Sequence, residues 1–155
     1  MTIPVKIKIR AFRPNDEKDV IQLWKECGLV FPQNDPRKDI RRKLKVQADL
    51  FLVAVYGKIM IGTVMGGYEG HRGWINYLAV SPNFQRKGVG RSLMGEIEKL
   101  LKKVGCPKIN LQVRESNKTV MRFYEKSGYV QDKVASFGKR LVVDDHSVKN
   151  RKKAQ

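Results

Sequence analysis

The sequence predicts one α/β (α+β) domain: a mostly antiparallel, twisted sheet of about seven strands with about four helices, in the order βααβββαβαββ. Three observations carry this. Short runs rich in Val, Ile, Leu and aromatics recur along the chain with turn residues between them. Two segments, beginning near Val89 and near Lys118, repeat their apolar residues at helical spacing. The first of these sits between the apolar runs "WINYLAV" and "KINLQV", the pattern of a crossover joining two parallel strands.

The elements follow in order. "VKIKIRAF" places Val5, Ile7, Ile9 and Ala11 at period two, as in a half-buried strand. In "PNDEKDVIQLWKECG", Asp16 is expected to cap a helix whose apolar face is Val20, Ile21, Trp24 and Cys27, with Gly28 as its stop. "NDPRKDIRRKLKV" offers Asp35 as N-cap and Pro36 at the first helical position of a thin, strongly basic helix. Two β-rich runs in "LFLVAVYGKIMIGTVMGGY" flank Gly57-Lys58, a hairpin signal, and Trp74–Val80 reads as the next strand. The long helix then carries Val89, Leu93, Met94, Ile97, Leu100, Leu101 and Val104 on one stripe and stops at Gly105. Lys108–Val113 is a strand. A shorter helix, capped by Ser116 or Asn117, stops at Gly128, and "YVQDKVASFGKRLVV" is expected to form two last strands. The domain is placed at residues 1–146, with a basic, disordered tail over 147–155.

Composition narrows the classes. A chain of 155 residues with 41% hydrophobic content buries a core of its own. No apolar run approaches the ~20 residues needed to span a bilayer, and no signal-peptide pattern opens the sequence. Cys27 and Cys106 are expected to be reduced thiols in a cytoplasmic protein, and no residue cluster suggests a metal. The net charge of +17 favours anionic partners: nucleic acid, an acidic surface or a phosphate-rich cofactor.

The informative string is Gln85-Arg86-Lys87-Gly88-Val89-Gly90, between a strand ending Leu78-Ala79-Val80 and the long helix. A helix N-terminus presents unpaired N–H groups and the positive end of the dipole. Gly88 and Gly90 are expected to let an anion approach, and Arg86, Lys87 and Arg91 add charge. The stretch thus reads as a phosphate cradle. It is neither a P-loop, since GxxxxGK[ST] is absent, nor a full GxGxxG fingerprint, since Leu93 stands at the third glycine. An RNA-recognition motif would need aromatics that Val89 and Arg91 do not supply.

The pattern resembles the GNAT superfamily of acyl-CoA-dependent N-acetyltransferases, over about residues 5–143. "NKTVMRFYEKSGY", from Asn117 to Tyr129, is similar to a second conserved segment of that family. The stretches "LFLVAV", "GTVMGGYEGHRG" and "CPKINLQV" look close to the small bacterial YpeA-type members.

The resemblance implies acetyl-CoA as co-substrate. Its pyrophosphate would lie on the backbone from Arg86 to Ser92, including Lys87, Gly88, Val89, Gly90 and Arg91. Gln85 would belong to the same loop, and the pantetheine arm would run beside Leu78, Ala79 and Val80. Tyr124 would be the general acid; the other reading is a packing aromatic. Asn117 would either bond the cofactor arm or only cap its helix. A backbone N–H near Leu78 or Ala79 could hold the developing oxyanion. No base is evident. Asn76 stands where many members carry Glu, and Glu69, His71 or water remain. Trp74 and Tyr77 would line an acceptor pocket or pack in the core. The implied activity is acetyl transfer to a primary amine of a protein N-terminus, a lysine or a small molecule, by a monomer or homodimer without a membrane partner. The alternative is a basic nucleic-acid- or ribosome-binding protein with a vestigial site.

Overall fold

In the computed structural model, which describes residues 6–144, five strands lie side by side in chain order. They are β1 (Ile7–Ala11), β2 (Phe51–Tyr56), β3 (Ile59–Tyr68), β4 (Gly73–Val80) and β5 (Ile109–Leu111). The first four pair antiparallel; β5 runs parallel to β4. A parallel neighbour requires a crossover, and α3 (Val89–Lys103) supplies it. Helices α1 (Glu17–Glu26) and α2 (Pro36–Leu44) lie between β1 and β2, and α4 (Lys118–Lys126) follows β5. Among the described residues, no helix is long and apolar enough to cross a membrane.

The sheet is covered on both faces. Alternate residues of β2 divide between two cores, as the pleat dictates. Leu52 and Ala54 pack with Leu93, Met94, Ile97 and Leu101 of α3. Phe51 and Val53 pack with Val20, Leu23 and Trp24 of α1 and Ile40 of α2. Helix α3 sits directly on β3 at Gly62 and Gly66, where a Cβ would lie 2.8 Å from Leu93 and 2.7 Å from Ile97. A side chain at either position would force Leu93 or Ile97 to shift.

Most local signals act as read. Asp35 accepts the Arg37 N–H at the start of α2, and Gly28, Gly105 and Gly128 follow α1, α3 and α4 with positive φ. Val104 leaves the expected α3 stripe and is exposed beyond the last turn. Asp16 differs more. Its side chain does not cap α1; it accepts two bonds from Arg10, at 2.7 and 2.9 Å, and one from the Arg13 N–H at 2.8 Å. A bidentate guanidinium outcompetes a neutral cap, and the Arg10 bond holds the carboxyl below its usual range.

The two last strands are absent: the sheet has five strands, not seven, and residues 129–144 form none. Val130, Val134, Phe137 and Leu141 are 86, 79, 94 and 87% exposed. This segment follows β5 through side chains alone, Lys108 to Asp132 at 2.9 Å and Gln112 to Ser136. Its apolar residues do not keep a period of two over more than a pair of positions, so they offer no continuous strand face for burial. The expected tail, 147–155, lies outside the described residues, as does Val5.

Candidate active site

The site begins where β4 and β5 separate. Their ladder covers only Gly73–Ile75 against Ile109–Leu111. Beyond it β4 continues along β3 alone. A bulge interrupts that pairing: Thr63 faces Ala79 and Met65 faces Asn76, so Val64 opposes both Tyr77 and Leu78. Tyr77 takes φ +50. For a bulky residue this costs about 1–2 kcal/mol, and the surroundings hold it. The Thr63 hydroxyl donates to the Tyr77 carbonyl at 2.8 Å and accepts from Trp24 Nε1 at 2.9 Å. The Trp24 ring stacks on Tyr77 with centroids 3.9 Å apart.

Strand alternation then orients the last residues of β4. Ser81 N–H donates to the Ile61 carbonyl at 2.8 Å. The next pair, Gly62 and Val80, is therefore the non-hydrogen-bonded kind, which turns the Val80 backbone groups away from β3. The Val80 carbonyl accepts from Gln85 Nε2 at 3.3 Å and from the Cys27 thiol at 3.4 Å. By the same alternation the backbone of Ala79 faces β3. Its side chain is buried with α1, whereas Leu78 and Val80 border the α3 core.

The loop after β4 uses two left-handed residues, Arg86 at φ +62 and Gly88 at φ +82. Ser92 N–H bonds the Gly88 carbonyl at 3.0 Å. The amides of Val89, Gly90 and Arg91 therefore precede the first intrahelical bond, and no side chain caps this end. Arg86, Lys87 and Arg91 form no ion pair among the described residues. The two glycines differ in their surroundings. Gly88 supplies the turn. A Cβ at Gly90 would stand in ordinary contact with the Phe123 ring at 3.4 Å and Val80 at 3.6 Å, so this position faces α4 and only a larger side chain would press on Phe123.

Helix α4 brings Tyr124 to the same place. The Asn117 side chain accepts the Val120 N–H at 3.3 Å and is the cap; Ser116 is not. The Tyr124 ring is 8% exposed and packs in the core that Leu78 and Val80 border. Phe123 and Tyr129 meet it edge-on, at 5.1 and 5.5 Å between centroids. Its hydroxyl makes no hydrogen bond among the described residues, which also contain no buried, unpaired polar side-chain atom. The hydroxyl therefore opens to solvent while the ring is enclosed. Burial pushes this phenol up to about 12, so it carries its proton across the physiological range.

The remaining candidates separate. Glu69 accepts the Arg72 N–H at 3.1 Å and closes the β3–β4 turn with His71. That turn precedes Gly73, and five residues of strand, about 16 Å, lie between it and Leu78. Asn76 is exposed on β4, and Trp74, 39% exposed, lies outside both cores. Tyr77 instead reaches α2: its hydroxyl donates to Asp39 at 2.6 Å. Asp39 also accepts from Arg42 at 3.1 Å, and Arg42 grips Asp144 with bonds of 2.8 and 2.6 Å. Burial, then the Asp39 carboxylate, raises the Tyr77 phenol well above its ordinary value. The Arg42 bonds hold Asp144 well below the carboxylate range. Neither Asp39 nor Asp144 was singled out in the sequence. Their partners lie 38 and 102 positions away, beyond any local pattern.

Comparison with known proteins gives the family. The family model for the acetyltransferase (GNAT) family matches residues 17–129. The chain belongs to the GNAT acetyltransferase family. An acetyltransferase of Sodalis glossinidius is 48% identical over 139 residues, covering 89% of this chain and 98% of the relative. The GNAT fold is shared with Ard1 of Thermoplasma volcanium, at TM-score 0.70 and 26% identity over 81% of this chain and 84% of that one. It is shared also with an aminoglycoside N-acetyltransferase solved with CoA, at TM-score 0.74 and 15% identity, covering 91% and 99%. A protein of this family is an acyltransferase.

Proposed function

We propose that this GNAT protein transfers an acetyl group from acetyl-CoA directly to a primary amine, at the β4–β5 fork. The residues fit such a co-substrate. Three uncapped amides, Val89 to Arg91, and the cations Arg86, Lys87 and Arg91 suit its diphosphate. Docking an anion there gains about 0.3–1 kcal/mol from the helix dipole, up to ~2 when partly buried. The loop backbone from Arg86 to Ser92 forms that cradle, and Gln85 braces it through Val80. The outward-facing groups of Val80, with Leu78, suit the amides of an extended arm. Cys27 and Gln85 hold the Val80 carbonyl in the meantime. Asn117 caps α4 through its Oδ1, and its amide N–H groups can still reach the cofactor arm.

Acetyl-CoA would supply the acetyl group as a reactive thioester. Leu78 rather than Ala79 is assigned the oxyanion N–H, because the backbone of Ala79 faces β3. Tyr124 gives its proton to the departing sulfur and regains one from solvent. The amine forms its bond to the acetyl carbon as the carbon–sulfur bond breaks, and its surplus proton passes to water. Glu69 and His71 stand too far along β4 to take it. Asp39, through Tyr77, lends negative charge on the α2 side and draws in an ammonium group, which gives one proton to water before the neutral amine attacks.

The observation that carries the reading is the enclosed Tyr124 ring with its free hydroxyl, beside the strand that the loop follows. Free-thiol release from acetyl-CoA in the presence of amine acceptors tests it. Absence of thiol release with N-terminal peptides, lysine and polyamines alike would defeat it.

A further inference from the structure

The phosphate loop accounts for positive charge on one side of the sheet only. It opens α3, and α3 and α4 share a core with one face. Helices α1 and α2 cover the other. On that far side α2 reads "PRKDIRRKL", followed by Lys45. Much of the helix is committed. Pro36 and Ile40 are buried, Lys43 donates to the Gly66 carbonyl, and Arg42 holds Asp39 and Asp144. What remains is Lys38 and a row of three, Arg37, Arg41 and Lys45. The three are exposed, four positions apart, and form no ion pair among the described residues.

Such a row weakens the fold. Like charges one turn apart repel, and none of the three side chains makes a hydrogen bond or ion pair among the described residues. The sheet separates them from the loop at which a cofactor's phosphates would dock. Yet they lie on the helix whose Asp39 touches Tyr77, next to the reactive end of β4.

We infer that the Arg37–Arg41–Lys45 row of α2 is a docking surface for an extended acidic segment of a polypeptide acceptor. This rests on the amine-acetylation reading. Successive cations are about 6 Å apart along the helix. Alternate side chains of an extended peptide are about 6.6 Å apart, so acidic residues two apart meet the row in register. Three or four further residues round the helix, ~10–12 Å across, and bring an N-terminal or lysine amine to Tyr77. A polypeptide carries a primary alkyl amine and RNA bases do not, which decides between the two polyanions.

A binding measurement with the full chain separates this from the catalytic reading. The probe is a fluorescent peptide of alternating Glu residues with a blocked N-terminus and no lysine. Anisotropy should show binding that weakens with salt. Arg37→Gln/Arg41→Gln/Lys45→Gln should weaken it roughly tenfold or more, as expected when several complementary charges are lost. Lys58→Gln/Lys102→Gln/Lys103→Gln removes as many exposed charges elsewhere and should change affinity less than about twofold. Both variants should acetylate a small amine like the parent. Equal binding by parent and α2 variant, equal losses in both variants, or no peptide binding by the parent overturns the assignment. So does a single-stranded RNA of matched charge that binds the row more tightly than the peptide. If the peptide pattern holds but no protein acetylates any amine, the docking surface stands and the catalytic reading fails.

Discussion

The two sides of the β4–β5 fork are built differently. On the loop side, everything from Ser81 to Ser92 is contiguous: a turn, two left-handed residues and the open end of α3. On the α2 side, contacts join residues far apart in the chain, Tyr77 with Asp39 and Arg42 with Asp144. The first side is a local device that any chain with these spacings can form. The second exists only after α2, β4 and the C-terminal segment have met. A site with one preassembled wall and one assembled wall can keep its donor chemistry while its acceptor wall changes.

The largest expected effect lies at Tyr124 of α4, on the loop side. Tyr124→Phe should lower kcat and kcat/KM together by roughly 10²–10⁴, with CoA affinity by calorimetry unchanged. Near-parental kcat with chemistry rate-limiting would remove Tyr124 from the mechanism. Because its phenol is pushed up to about 12, the parent's rate should show no fall from its ionisation until the pH approaches that value.

The glycine loop sharpens the contrast by separating turn from packing. Gly88→Ala must take φ +82 with a side chain, a cost of about 1–2 kcal/mol. It should lower CoA affinity with a modest fall in Tm. Gly90→Val should lower both CoA affinity and Tm, since its methyls press on Phe123. An undisturbed Tm in Gly90→Val would show that Phe123 yields to the larger side chain.

On the assembled wall, Asp39→Asn should raise KM for an amine acceptor more than it lowers kcat, because Asp39 reaches the site only through Tyr77. Equal losses in both terms would make Asp39 part of the chemical step.

The smallest effect is on acid stability. The folded Asp144 carboxyl is depressed by Arg42, so the unfolded chain binds its proton more readily. The stabilisation is present above the unfolded value of about 4 and fades as pH falls toward the folded one. Asp144→Asn should flatten the acid limb of a Tm-versus-pH curve. An unchanged limb would mean that the Arg42 bond does not survive in solution.

The sequence by itself determined the family, the helices and the loop. These depend on neighbours within about four positions: Asp35 and Asn117 as caps, Gly28, Gly105 and Gly128 as stops, and the stripe of α3. It also determined that Tyr124 lies on α4, four residues from Gly128, though not that its hydroxyl opens to solvent. Tertiary structure alone decided the rest. Whether "YVQDKVASFGKRLVV" pairs as strands depends on an edge to pair with, and β propensity without a buried face was not enough. Asp16 bonds the charged Arg10, six positions back on β1, rather than the helix end it was expected to cap. Gly90 faces Phe123, Tyr77 is bent into a bulge by Thr63 and Trp24, and Asp39 and Asp144 find partners across the fold. Each of these is a contact between segments that only packing brings together, and a linear pattern records spacing along the chain, not proximity across it.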